Sequence, residues 1–164
     1  MPEYPSSHED TAKKIASAWN RGEANCILVA PPLTSPERIF TLLRDASFQQ
    51  ECGLNNETLA IAYLPESSYR TTKEFAEKAL ASWGIDIETD GLDPLELLEE
   101  GLQALTSENK TPIILLPKFY KTIEKLEWSL GAKLRELEVD YHLCTVIEVP
   151  VPLSQLRERW EVAD

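Results

Sequence analysis

The chain has 164 residues, 43% of them hydrophobic, and a formal charge of −12 from 16 basic and 28 acidic side chains. That length supports a single domain spanning residues 1–164 with a proper core, and leaves no room for two comfortable ones. The charge disfavours non-specific attachment to DNA, RNA or anionic lipid, because such binding depends mainly on lysines and arginines displacing counterions.

Residues 6–20 read as an amphipathic helix, with Ser6 or Ser7 available as N-cap and Ala12, Ile15, Ala16 and Trp19 on one face; Asn20-Arg21-Gly22 closes it. Cys26-Ile27-Leu28-Val29-Ala30 is a short buried strand. Pro31 to Ser35 form the turn after it. A helix over about 36–49 follows, with Ser35 as N-cap and Pro36 at the first helical position, where its missing N–H costs nothing. A second strand, residues 59–64, leads through Pro65-Glu66-Ser67-Ser68 to a helix near 71–83 carrying Phe75, Ala79, Leu80 and Trp83. Asp93-Pro94 opens the next helix, whose buried stripe is Leu95, Leu98, Leu102 and Leu105.

The third strand is Pro112 to Leu116, and a long helix is expected over about 119–138. Strand four spans Leu143 to Val149, and residues 153–160 can form a last short helix. Continuously apolar strands separated by helical stretches predict an α/β, three-layer sandwich with a mainly parallel sheet covered on both faces.

The turn after the first strand carries the first chemical clue. A P-loop NTPase places Gly-x-x-x-x-Gly-Lys-[Ser/Thr] between a strand and a helix, so that backbone N–H groups close on the phosphates and the lysine reaches the β and γ oxygens. Here the four defining positions are Ala30, Ser35, Pro36 and Glu37. Proline has no N–H to offer, and glutamate repels phosphate. In the same class of NTPases a four-residue apolar strand ends in Asp-Glu, the first residue holding Mg²⁺ and the second activating water. Ile113 to Leu116 is instead followed by Pro117-Lys118.

With these positions in that order, the chain resembles the AAA-like and STAND-like P-loop ATPases over roughly residues 8–157. The similarity includes the strand at 59–64, the segment Leu130-Gly131-Ala132-Lys133-Leu134-Arg135-Glu136-Leu137, and Pro152-Leu153-Ser154-Gln155-Leu156 after the fourth strand. The resemblance implies about four strands in the order 1-4-3-2. The fifth strand and helical lid of such proteins have no counterpart after Trp160. The expectation is a reduced pseudo-ATPase that is not an enzyme and has no cofactor, metal or catalytic residue.

Arg38 and Lys118 are cations near the former site and leave open a nucleotide sensor or NTPase with relocated ligands. The plainer reading of Arg38 is an exposed helix residue in local ion pairs. The two histidines, His8 and His142, have no third partner for a metal cluster or a triad, and Cys26, Cys52 and Cys144 lack metal-ligand spacing. Cys26 and Cys144 lie in apolar runs, where a thiol acts as a small hydrophobe.

Asp86, Glu88, Asp90, Asp93, Glu96, Glu99 and Glu100 fall in a stretch with no lysine or arginine between Lys78 and Lys110. Carboxylate pairs serve acid–base chemistry, but the plainer reading is a solvated connector and helix face that steers a basic partner. An acidic inhibitor mimicking nucleic acid is a further alternative. On the long helix, Ile123, Leu126, Leu130, Leu134 and Leu137 form the inward stripe. Trp128 points almost opposite, beside Lys121, Glu124, Gly131, Ala132 and Arg135, a composition suited to a partner interface or to a tryptophan folded over its own helix.

No apolar run reaches the roughly 18 to 20 residues that cross a bilayer, and Met1-Pro2-Glu3-Tyr4-Pro5 lacks the basic and apolar regions of a signal peptide. A cytoplasmic location is expected. The leading functional expectation is a catalytically inactive, protein-binding module, an accessory or regulatory subunit of a complex whose catalytic ATPase or effector lies on another chain.

Overall fold

Apolar segments pair side by side in one direction to build the sheet of this protein, seen in a computed structural model that describes residues 3–22, 25–29, 36–86, 91–121 and 129–149. The strands are β1 (Asn25–Val29), β2 (Leu59–Tyr63), β3 (Thr111–Leu116) and β4 (Cys144–Val149). Every pairing is parallel, and the order across the sheet is β1-β4-β3-β2. Register brings Leu28 opposite Glu148, Leu116 opposite Ile147 and Tyr63 opposite Leu115.

The helices are α1 (Glu3–Asn20), α2 (Glu37–Leu43), α3 (Ala46–Glu51), α4 (Thr72–Ser82), α5 (Pro94–Ser107) and α6 (Ser129–Tyr141). Because side chains of a strand alternate between faces, β3 serves two cores at once. Ile114 and Leu116 pack with Phe75, Leu80, Leu98, Leu102, Leu130 and Leu134 from α4, α5 and α6. Ile113 and Leu115 pack with Ala12, Ile15, Trp19, Phe40, Leu43 and Phe48 from α1, α2 and α3. Helices therefore cover both faces of the sheet. Each fully buried leucine or isoleucine contributes roughly 1.5–3 kcal/mol against the entropy of folding.

Local chemistry sets several helix starts. Asp93 accepts from Leu95 N at 3.1 Å with Pro94 beginning α5, as the sequence signals, and Thr71 Oγ1 accepts from Glu74 N at 3.1 Å to start α4. The expected helix over 36–49 is instead two helices. Asp45 leaves helical geometry (φ −85°, ψ 123°) and its carboxylate accepts from Phe48 N at 2.9 Å, so a new N-cap interrupts the run. Gln49, buried, donates to Leu43 O at 2.7 Å and ties the two short helices together.

Other boundaries also move. The first helix begins at Glu3, which places Ser6 and Ser7 inside it rather than at its cap. Pro36 is the N-cap of α2, at φ −83° and ψ 3°, instead of its first residue. Of the helix expected over 119–138, Phe119–Lys121 is a 3-10 turn, residues 122–128 lie outside the described residues, and α6 ends at Tyr141 rather than 138. The short helix expected at 153–160 lies outside the described residues.

Candidate functional site

All four strands are parallel, so their carboxyl ends share one edge of the sheet. Leu64 follows β2 and leads through Pro65 to Glu66, which opens a 3-10 turn. Pro117 and Lys118 follow β3, and Pro36 and Glu37 start α2. In open parallel sheets this edge is where ligands are usually received.

Its centre is an internal carboxylate. Glu148, one residue before the end of β4, is 4% exposed, and its Oε1 accepts from the backbone N–H of Lys118 at 3.1 Å. Lys118 reaches that position in a left-handed conformation, φ 52°, which a non-glycine residue adopts at some cost. Burial pushes the Glu148 carboxyl above its usual range. The Lys118 N–H and the Lys118 charge pull it down, whereas the carboxylates of Glu66 and Glu37 push it up further. The Glu148 carboxyl thus lies in the negative field of Glu66 and Glu37, with Lys118 opposing it.

Few backbone donors are available at this edge among the described residues. Pro117 is buried and has no N–H, the Lys118 amide is engaged by Glu148, and Glu37 and Glu66 add negative field. Arg38 is exposed on α2. Ala30 and Ser35, the other two positions compared with a phosphate loop in the sequence, lie outside the described residues.

Glu148 is not among the site residues expected from the sequence, although the sequence carries a signal for it. A carboxylate between Ile147 and Val149 in an interior strand has no solvent face to point toward, because helices cover both sides of the sheet.

The expected partner face is only partly described. Ala132 and Arg135 are exposed and Gly131 is half-buried on the outward side of α6, while Leu130, Leu134 and Leu137 are buried; Lys121, in the 3-10 turn after β3, is also exposed. Trp128 and Glu124, like Ile123 and Leu126 of the inward stripe, lie outside the described residues. The acidic stretch is not uniformly solvated. Asp93 caps α5, and Glu99 accepts from Lys133 Nζ at 2.7 Å and from Tyr141 OH at 3.0 Å, joining α5 to α6. Those two hydrogen bonds, from Lys133 first, hold the Glu99 carboxyl below its usual range. Glu88 and Asp90 lie outside the described residues.

Cys144 is buried, as its apolar surroundings indicate, and burial raises the Cys52 thiol pKa. His142 is exposed at φ 56°, and His8 is half-buried on α1. Among the described residues no group of His, Cys, Asp and Glu could hold a metal ion, and no helix is long and apolar enough to cross a membrane.

No protein-family model and no curated protein matches the chain. Solved structures do. The chain is similar to the ORC2 protein of Aeropyrum pernix in its ADPNP-ADP complexes, with a TM-score of 0.74 at 16% identity over 99% of this chain and 45% of that one. Its ADP form gives a TM-score of 0.72 at 12% identity over 96% of this chain and 44% of that one. Cdc6p from Pyrobaculum aerophilum gives 0.61 at 14% identity over 90% and 39%. This chain therefore spans less than half the length of those proteins. The likeness is one of fold, an α/β domain with a parallel sheet.

Proposed function

We propose that this chain is a catalytically inactive P-loop NTPase-like module that acts in the cytoplasm by binding another protein, as an accessory or regulatory subunit of a larger complex. The observation that carries this reading is the Lys118 amide turned onto the buried carboxylate of Glu148. An anion supplied by the protein itself takes a backbone donor at the edge where a phosphate would need one, and Glu37 and Glu66 reinforce its sign. Ala30, Ser35, Pro36 and Glu37 in the loop, with Pro117-Lys118 after β3, support the same conclusion from the sequence. Given the fold likeness to ORC2 and Cdc6 proteins, an AAA-like ATPase of that replication-initiator type is the partner class we favour.

A second reading, a nucleotide sensor with relocated ligands, draws support from the extent of the likeness to an ORC2 protein whose structure holds ADPNP and ADP. Arg38 and Lys118 would be its phosphate-facing cations. Phosphate release from Mg-ATP separates catalysis from its absence. The proposal expects no turnover above a no-protein control, and turnover that disappears in Lys118→Ala would sink it.

A further inference from the structure

We infer that the outward face of α6 is a docking surface for a basic amphipathic helix on a partner protein. The inference rests on the protein-binding reading above and names the surface and the chemistry that would recognise it.

Val139 is 76% exposed, the one large hydrophobic side chain left exposed among the described residues. At 3.6 residues per turn it falls within about 20° of Ala132 on the helix circumference, so the two form a narrow apolar strip, with Arg135 along its outer side. Ala132 and Arg135 are themselves exposed. The sequence periodicity that sets Trp128 opposite the buried stripe sets Val139 on the same side.

The occupant is chosen by charge. Glu136 and Asp140 are exposed and run along the strip on the side toward α5. Lys133, a cation in that direction, pairs with Glu99 at 2.7 Å and with Glu136 at 3.7 Å, so one cation is shared between two carboxylates and Asp140 adds a further negative charge. A partner helix that sets an apolar residue on Val139 therefore meets carboxylates beside it and gains from lysines or arginines at its flanks. A second copy of this chain would bring its own charge of −12 to the same surface, and like charges disfavour that pairing.

The test titrates the full-length, isotopically labelled protein with a synthetic helical peptide carrying a leucine stripe flanked by lysines. Two controls replace its lysines by glutamates or its leucines by serines. The inference expects amide shifts clustered over residues 132–140 with the leucine–lysine peptide alone, and about tenfold weaker binding in both Val139→Asp and the Glu136→Lys, Asp140→Lys double variant. Because Val139 is exposed, its replacement leaves the core intact. No binding, equal binding of the serine–lysine peptide, shifts mapping elsewhere, or no effect of Val139→Asp would overturn the inference. Self-association that disappears in Val139→Asp would assign the face to a second copy and overturn it as well. Mg-ATP turnover is measured on the same sample, so failure of the surface and failure of the inactive-module reading give different results.

Discussion

The backbone N–H of Lys118 donates to Glu148 Oε1 at 3.1 Å, so the residue after Pro117 directs its amide inward at the sheet's carboxyl edge. In a phosphate cradle, amides at such an edge converge on a bound anion. Here a buried side chain plays the anion's part. The arrangement fixes the loop after β3 to the tip of β4 and removes a donor from solution.

Replacing Glu148 with glutamine keeps an amide oxygen for the Lys118 N–H and removes a buried charge repelled by Glu66 and Glu37. The folded-state pKa of Glu148 is raised, chiefly by burial, so the folded protein holds this proton more tightly than the unfolded chain does. Its contribution to stability is therefore present at low pH and lost as pH rises through the folded-state value. Glu148→Gln should stabilise the protein by about 1 kcal/mol at pH 7, and the gain should vanish on acidification below the ordinary carboxylate range. Urea unfolding at both pH values checks this. A loss of stability at pH 7 would show that the charged form is required.

Glu99 behaves in the opposite sense. Its pKa is lowered by hydrogen bonds from Lys133 and Tyr141, so its contribution is present above the ordinary carboxylate range and is lost as pH falls through the folded-state value. The side chains of Lys133 and Glu99 keep 19% and 33% of their exposure, and solvent screening weakens the pair. Glu99→Gln should cost less than about 1 kcal/mol at pH 7. Thermal melts of both proteins across the acid range should converge as pH falls, and a difference that grows there would contradict the assignment.

Gly101 lies where α5 crosses α4. A methyl group added there would overlap Leu80 Cδ2, and Leu80 is 3% exposed, with core on all sides. Alanine ordinarily gains up to about 1 kcal/mol over glycine inside a helix, but overpacking typically costs 1–3 kcal/mol. Gly101→Ala should therefore be net destabilising by about 1 kcal/mol, and less so in a Leu80→Val background. Urea midpoints of the single and double variants test the coupling. Additive effects would place the strain elsewhere.

Much of the architecture was legible because it follows from patterns that water enforces. Ile113 to Leu116 can be apolar at every position only if both faces of the strand are covered, and that requirement points to a parallel sheet under two helical layers. Asp93-Pro94 marked the start of α5 through the chemistry of a cap and a missing donor. The break at Asp45 was hidden, since an aspartate on a helix surface and an aspartate capping a new helix look alike until its carboxylate is seen on Phe48 N.

The proposed site was legible only as departures from the P-loop pattern. Pro117 and Lys118 stand where a metal ligand and a base would be expected, but no periodicity reveals that Lys118 adopts φ 52° or that its amide meets Glu148. Those facts depend on register between β3 and β4, which lie 28 residues apart from the end of one to the start of the other, Leu116 to Cys144. Likewise, Glu99 looked like one of seven solvated carboxylates, and only the packing of α5 on α6 gives it Lys133 and Tyr141 as partners.

The central proposal is that this edge of the sheet does not receive a nucleotide. Calorimetric titration of the full chain with Mg-ATP tests it most directly, with Arg38→Ala and Lys118→Ala measured alongside. The account predicts no saturable heat for any of the three proteins. Saturable binding by the natural sequence that is lost in either variant would contradict it.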